Sequence, residues 1–404
     1  MPTATTDFTT RRPLITTRKL VHMSMLGFAF LLPILTWVQA AGCAVLALLF
    51  NVFLLPRFAV DLRKKPDQEP AANVWTGIVL YPLSVLTLIL LYRHHLHVAA
   101  SAWAIMALGD GMASVAGESL GGPALPWNHE KRWTGFVAFV IAGSLGAYVL
   151  ARWVAPAFPT DKVLIVSLAG ALVGALVESV PIRLDDNVSV PLVSGGFLFC
   201  AYLVERTALD SNLPYLGKRI AFAIGINAFF ALLALGLRIV NRSGAVAGFL
   251  LGIAVYLGYG WKSFSILFTF FLLGSVATRL GYASKAQRGV AERRGGARSW
   301  REASANSLAG ASFSILAITT HHEAAFLVAL VAAFAEAGGD TVSSEIGQWL
   351  SQRAYLITTF KPVPAGEDGG ISVGGTLAGL AASCIVAGVG FAVGLCGAGG
   401  AAIA

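Results

Sequence analysis

Residues 98–122 read VAASAWAIMALGDGMASVAGESLGG, an apolar run that closes on an Asp, a Glu and five glycines. The run is long enough for a transmembrane helix near 98–116. An ionised side chain at membrane depth costs several kcal/mol, so an acid retained there is a functional candidate by default. The glycines allow the backbone to come close to a ligand or to another helix. Fold class and function are therefore read outward from Asp110.

The remainder of the chain has the same character. Of 404 residues, 56% are hydrophobic and 12% charged, with mean hydropathy +0.72. Soluble domains carry about 25% charged residues, so the expected class is an all-α polytopic membrane protein. Apolar runs place about thirteen helices near 20–39, 41–55, 73–92, 98–116, 134–151, 163–180, 188–204, 218–238, 245–260, 263–279, 304–319, 324–340 and 372–396. The run at 41–55 is short enough for a half-span. The first 19 residues read as a basic cytoplasmic tail, with no cleavable signal peptide. Cys43, Cys200, Cys384 and Cys396 have no CxxC spacing and read as small apolar residues.

Threading the helices from a cytoplasmic N-terminus puts most of the 29 Lys and Arg residues inside, as the positive-inside bias requires. That bias accounts for the net charge of +8, and no nucleic-acid partner is expected. The loops richest in polar motifs (117–133, 181–187, 280–303 and 341–371) then share the cytoplasmic face. The polar segment 205–217, with Pro214, reads as a boundary between two helical domains, 1–210 and 211–404. Each domain carries a Gly-Asp pair, then a Lys, then a Gly/Thr helix start: Gly109-Asp110, Lys131 and Thr134-Gly135, against Gly339-Asp340, Lys361 and Gly375-Thr376. Duplication and convergence on one ligand type both explain this.

In the first domain, Asp110 and Glu118 are carboxylates of the kind that hold Mg²⁺ together with substrate phosphates. Gly111, Gly117, Gly121 and Gly122 permit close approach. Thr134 and Gly135 suit a helix N-terminus, where free N–H groups bind anions, and Lys131 and Arg132 precede it. Glu178, Asp185, Asp186 and Asn187 crowd acids into a short connection and can hold metal or take a proton from an alcohol. The plainer readings are helix-terminal acids, small-residue packing and a basic loop. Arg18 and Lys19 read as interfacial anchors or as phosphate contacts, with His22 one turn further in.

In the second domain, Asp340, Glu345 and Asp368 are candidate metal ligands. The segment 356–376 has five glycines and two prolines. It cannot be a continuous helix, so near a membrane it must line a polar site or be buried in protein. With Lys361 it has the physical make-up of a phosphate cradle.

These strings carry two resemblances. ArgLys-x-x-His at 18–22, GlyAspGly at 109–111, Asn-x-x-Lys-x-x-x-Gly at 128–135 and Glu178 with AspAspAsn-x-x-x-Pro at 185–191 resemble the phytol kinase/dolichol kinase branch, over roughly residues 15–204. That branch is related to the CDP-diacylglycerol synthases. The resemblance implies CTP and a divalent metal, Mg²⁺, acting on a long-chain isoprenoid alcohol. It implies contacts at Asp110, Gly111, Asn128, Lys131, Gly135, Glu178, Asp186 and Asn187. Arg132 stands where many members have Ser. AspThr-x-x-SerGlu-x-Gly at 340–347 and ThrThrPheLys-x-ValPro-x-Gly-x-x-GlyGly-x-Ser-x-x-GlyThr at 358–376 resemble the phytyl-phosphate kinase family, over about 218–396. It implies phosphoryl transfer from a nucleoside triphosphate to an isoprenyl monophosphate. Nucleotide contacts are then expected at Arg298, Asn306, Ser344, Gly366, Gly369, Gly370, Ser372 and Thr376. Members of that family continue with further apolar helices, so the second domain is expected to lack a closing element.

Together the resemblances imply two consecutive phosphorylations in one bilayer, alcohol to monophosphate to diphosphate, with phytol the leading alcohol. Asp110 or Asp186 would take the hydroxyl proton, and Asp340, Lys131 and Lys361 would serve the transferring phosphates. The expected setting is a bacterial inner membrane or a chloroplast envelope, the chain acting alone or as a homo-oligomer. The alternatives are a cytidylyltransferase that makes a CDP-lipid and a lipid transporter built from two repeats. A transporter would carry its charges mid-helix.

Overall fold

The computed structural model describes residues 17–58, 76–181, 184–292 and 296–404. The basic tail up to residue 16, the basic residues at 59–65, Arg183, Arg293 and Arg294 lie outside the described residues. The chain divides into two compact units, Met1–Tyr202 and Leu203–Ala404.

Unit 1 opens with α1 (Thr17–Ser24), which runs into a 3-10 stretch at Met25–Leu31. Next come α2 (Trp37–Leu49), a π turn at Phe50–Leu54 and α3 (Leu55–Phe58). These last three make one span, Trp37–Arg57, rather than a half-span. Thr36 and Gln39 start it with a reciprocal capping box, which satisfies two otherwise orphaned N–H groups. After α4 (Thr76–Leu91), the decisive stretch forms α5 (Leu96–Ala104), a π stretch at Ile105–Asp110 and α6 (Gly111–Leu120). This is the central helix of the unit, since His97 through Ala107 are buried. It continues past the expected end at 116, so Gly117 and Glu118 are helical rather than in a loop. A short hairpin, β1 (Ala124–Leu125) with β2 (Asn128–Arg132), leads to α7 (Trp133–Val154), α8 (Thr160–Ser179) and α9 (Asp186–Leu203). On α8, Leu164, Leu168, Leu172 and Leu176 form an exposed apolar stripe. That is the face of a membrane helix that meets lipid.

Unit 2 holds α10 (Arg206–Gly236), α11 (Arg242–Tyr259), α12 (Trp261–Arg279), α13 (Tyr282–Gln287), α14 (Trp300–Thr319) and α15 (Glu323–Leu350). Three short strands follow, β3 (Arg353–Leu356), β4 (Pro362–Pro364) and β5 (Gly370–Ile371), in the order β4-β3-β5, and then α16 (Val373–Ala392) and α17 (Ala398–Ile403). The polar segment 205–217, expected at the domain boundary, is helical from Arg206 and forms the first part of the 31-residue α10, with Pro214 inside it. The non-helical 356–371 segment folds back as a small antiparallel sheet.

Ten helices among the described residues are long and apolar enough to cross a membrane. Two further expected spans correspond to shorter apolar helices, Lys19–Leu31 and Gly77–Leu91, and α14, the expected span at 304–319, is not among the ten.

The two units contain the same helix hairpin. In unit 1, a Cβ on Gly135 would lie 2.9 Å from the Ala113 carbonyl oxygen and 3.7 Å from Gly117 Cα, and one on Gly143 would lie 3.7 Å from Gly109 Cα. In unit 2, a Cβ on Gly375 would lie 2.6 Å from the Ser343 carbonyl oxygen and 3.0 Å from Gly347 Cα, and one on Gly339 would collide with Ser383. Positions 109, 113 and 117 against 135 and 143 thus repeat as 339, 343 and 347 against 375 and 383. Small residues four apart on facing helices allow such backbone contact in membranes. Asp110 and Asp340 occupy the same place in the repeat.

Candidate functional site

The chemistry of unit 1 gathers at the end of the hairpin. The π stretch ends at Asp110. Such widened turns are frequent at functional sites. Gly109 within it packs on the Phe139 ring, where a Cβ would approach to 2.7 Å. β2 carries Lys131, and the hairpin is tied to the end of α8: Trp127 Nε1 donates to Ser179 Oγ (3.1 Å) and Asn128 Nδ2 to the Ser179 carbonyl (3.0 Å). Arg132 donates to the Gly122 carbonyl at 2.6 Å and Thr134 to the Gly121 carbonyl. These bonds hold Lys131 against Glu178 on α8, with Asp186 Oδ2 on α9 at 3.6 Å.

Asp110, Glu178 and Asp186 each present a carboxylate oxygen within 4.8 Å of the other two. Glu178 is buried, whereas Lys131 is about a third exposed. Burial alone would lower the Lys131 ammonium. Glu178 first, then Asp186 and Asp110, outweigh it and hold the group above its usual range, so it stays charged. Three carboxylates facing one ammonium leave surplus negative charge. All-oxygen donors at this spacing suit one hard cation such as Mg²⁺, which takes one or two carboxylates and completes its shell with phosphate and water. The residues therefore fit the expected ion. Beside them, α7 begins with no side-chain cap; Trp133 N–H donates to the Pro123 carbonyl at 3.1 Å, and the next N–H groups of the first turn are the donors left for an anion.

Other expected site residues have structural partners. Glu118 pairs with Lys19 at 2.7 Å and is mostly exposed, away from the acids. Gly111, Gly117 and Gly135 make close contacts with the protein itself: a Cβ on Gly111 would lie 2.5 Å from Met23, while Gly117 and Gly135 face one another. Asn187 donates to Asp185 Oδ1 at 2.9 Å, leaving its own Oδ1 buried with no partner among the described residues.

In unit 2 the acids do not converge among the described residues. Glu345 is buried and paired with Lys285, whose ammonium also donates to the Ala277 (3.3 Å) and Thr278 (3.1 Å) carbonyls. This saturates Lys285, with Glu345 as its anionic partner, and caps the end of α12. Asp340 and Ser344 lie exposed on α15, and Asp368 and Lys361 lie exposed in turns of the small sheet. Gly366 (φ 95°) and Gly369 (φ 77°) make those turns, conformations that L side chains rarely adopt. Gly370 begins β5. Ser372 is the N-cap of α16, accepting from Gly375 N at 3.2 Å, and Thr376 follows in the first turn. Arg298 stacks on Phe270 at 5.9 Å, and its guanidinium closes on Gly274 beside Thr341. Asn306 is half-buried on α14.

Two unit 1 residues, Tyr81 and Trp103, escaped the sequence reading of the site, and they set His22, which that reading placed one turn into the first helix. His22 Nε2 stands 3.7 Å from Asp110 Oδ2. Tyr81 lies edge-on to the His22 ring at 4.8 Å and donates to the His22 carbonyl at 3.3 Å. Trp103 donates to the Tyr81 hydroxyl at 2.7 Å. Only His22 carried a signal, as a polar residue one turn into an apolar helix.

Known proteins match parts of this chain. VTE6, a chloroplastic protein of Arabidopsis thaliana, is 41% identical over 155 residues, covering 37% of this chain and 46% of its own length. An uncharacterized membrane protein of Synechocystis is 34% identical over 183 residues, 44% of this chain and 70% of that protein. Phytol kinase 1, chloroplastic, of Arabidopsis thaliana is 28% identical over 209 residues, 46% of this chain and 65% of that protein. The chain thus spans less than half of the first of these relatives. No solved structure matches it. Residues 225–403 match the model of the integral membrane protein family DUF92, and with the coverage of the Synechocystis relative the chain belongs to the DUF92 family of integral membrane proteins.

Proposed function

We propose that the chain is a membrane isoprenoid kinase. In unit 1 a phosphoryl group passes from CTP, or another nucleoside triphosphate, to an isoprenoid alcohol, phytol first among the candidates. In unit 2 a second transfer converts the monophosphate to the diphosphate. The observation that carries the reading is the cluster of Asp110, Glu178 and Asp186 around Lys131. Phosphoryl transfer asks for positioned charge rather than covalent chemistry. Bound Mg²⁺ would supply charge neutralisation at the phosphates. Lys131 offers its ammonium to the same oxygens, and the open N-terminus of α7 offers main-chain donors. The alcohol oxygen attacks the terminal phosphorus, the bond to the leaving diphosphate breaks, and Asp110 or Asp186 takes the hydroxyl proton. The names of the relatives, VTE6 and phytol kinase, support this substrate class. For unit 2, support comes from the repeated hairpin with Asp340 in the place of Asp110, and from Arg298 and Lys361 as cations. The motif loops are assigned to the cytoplasmic side, or its chloroplast equivalent, where nucleotides and Mg²⁺ are found.

The test is incubation of full-length protein with phytol, CTP and Mg²⁺, followed by mass spectrometry of lipids and nucleotides. Wild type is expected to make phytyl diphosphate and release CDP. Asp340→Ala should accumulate monophosphate, and Asp110→Ala should make neither product. Release of pyrophosphate would indicate a cytidylyltransferase instead. Wild type stopping at monophosphate would overturn the second step.

A further inference from the structure

Unit 1 contains a cavity of about 690 Å³ between the first helices of the chain. That is within the roughly 300–1,000 Å³ of sites that enclose an organic ligand. Its wall is almost wholly apolar: Ala44, Val85, Ile89 and Trp103 are buried, while Phe28, Leu46 and Phe50 on the other side are exposed. On a membrane-spanning helix an exposed apolar face meets acyl chains, so this side is where a lipophilic guest enters. Among its few polar lining groups, the Asn51 amide is spent on the Ile78 carbonyl at 2.8 Å. His22 and Asn187 line the cavity; His22 is 3.7 Å from Asp110, and Asn187 follows Asp186. Both residues carry a buried polar atom without a hydrogen-bond partner among the described residues, His22 Nε2 and Asn187 Oδ1. An unpaired buried polar atom is costly, and its persistence requires an explanation. The amide of Asn187 is turned by Asp185, which accepts from its Nδ2 at 2.9 Å and leaves the oxygen to face another donor. The His22 ring is set by its edge contact with Tyr81, itself fixed by Trp103.

We infer that this cavity receives the hydrocarbon chain of a long-chain isoprenoid alcohol, with the hydroxyl seated between His22 and Asn187. A hydroxyl is one donor with two acceptor lone pairs. In the bound state it donates to Asn187 Oδ1 and accepts from His22 Nε2–H, which pairs both orphaned atoms and sets the oxygen beside the carboxylates, so that rotation about the C–O bond turns the proton to Asp110 or Asp186 for transfer. The inference rests on the kinase reading for why an alcohol should be there, but the binding site stands on the cavity and the two unpaired atoms. His22 and Asn187 act here as positioning residues.

The probe is a phytol analogue with a diazirine at the end remote from the hydroxyl, photolysed on full-length protein in nanodiscs and mapped by mass spectrometry. Labels are expected on the cavity wall, competed by phytol. Phytyl methyl ether, which has no proton for Asn187, should compete roughly 10-fold more weakly, a difference that vanishes in Asn187→Leu. Ala44→Phe, or Ala47→Phe should the first fail to fold, should reduce labelling of the wall by about 10-fold by filling the space. Labels confined to lipid-facing positions such as Leu164 and Leu168, or equal competition by alcohol and ether in wild type, would overturn the site. Labelling needs no turnover. A chain that labels as expected yet phosphorylates no alcohol keeps the site and sinks the kinase reading, whereas one that phosphorylates but labels only lipid-facing positions does the reverse.

Discussion

Asp110→Asn is the change that most directly probes the carboxylate cluster. The three carboxylates present oxygens within 4.8 Å of one another. At that distance and an effective dielectric constant of about 20, two unit charges interact by about 3.5 kcal/mol. Asp110 enters two such repulsions and one attraction, to Lys131. Its side chain is 29% exposed and that of Asp186 36%, so solvent screens all three. The net effect of removing its charge is a gain of about 1–2 kcal/mol in protein without metal. For a unit of this size that is roughly 2–4 °C per kcal/mol in unfolding midpoint. With Mg²⁺ and CTP the order reverses: wild type is stabilised by ligand linkage, whereas the variant gains nothing and makes no lipid monophosphate. Thermal unfolding of the full chain in nanodiscs, in EDTA and again with Mg²⁺ and CTP, reads both effects. A variant less stable than wild type in EDTA would mean that Asp110 is a structural partner rather than a strained ligand. A variant stabilised by Mg²⁺ and CTP as strongly as wild type would place the cation elsewhere.

Three further outcomes are expected. Gly135→Val sets a branched side chain against the Ala113 carbonyl, where even a Cβ would lie 2.9 Å away; it should lower the unfolding midpoint and abolish phytol phosphorylation together, and retained activity would show that the hairpin tolerates separation. Lys285→Met leaves Glu345 buried without its cation and should cost about 3–5 kcal/mol, most of it recovered in the double variant Lys285→Met/Glu345→Leu, as read by denaturant or thermal unfolding; equal loss in single and double variants would refute the pairing account. Lys131 is held above its ordinary value when folded, so its stabilising contribution is complete below the unfolded value of about 10.4 and is lost only as pH rises through the raised folded value. The midpoint difference between wild type and Lys131→Met should therefore stay constant from neutral pH to about 10, and a difference that shrinks within that range would contradict the sign.

The membrane class was legible because apolar runs that long have few other uses, and the central helix was legible down to its acid. Proximity in sequence pairs Asp110 with Glu118, which lies apart from the other acids, whereas Lys131, Glu178 and Asp186 are named as companions of Asp110 through the resemblance of their strings to the phytol kinase branch. Their actual meeting depends on β1, β2 and the Trp127 and Asn128 bonds to Ser179, which no spacing rule encodes. Glycine gave an ambiguous signal. Gly111, Gly117 and Gly135 read equally well as a ligand cradle and as helix contacts, and the structure uses them for contacts. The cavity was invisible, because Ala44, Val85 and Ile89 are the same residue types as those that face lipid, and only the fold says which side is which. The polar start of α10 looked like a domain boundary because Asp210, Ser211, Asn212 and Pro214 are loop formers by composition, yet Asn212 bonds back to Ala208 and to Ile318. Lys285 was hidden among the basic residues of its loop, where one buried cation among several exposed ones leaves no mark.

The repeated hairpin determines where tolerance to substitution lies. Helices that meet through Gly117 and Gly135, or through Gly347 and Gly375, have no rotatable groups between them to absorb a change. The gap between the helix that carries Asp110 and the strand bearing Lys131 is then a main-chain dimension, set at folding and not adjusted by a nucleotide. In a saturation mutagenesis scan read separately for expression and for turnover, the two kinds of information should come apart. Positions without side chains should govern whether protein accumulates at all, and the acids around Lys131 should govern only what the accumulated protein does.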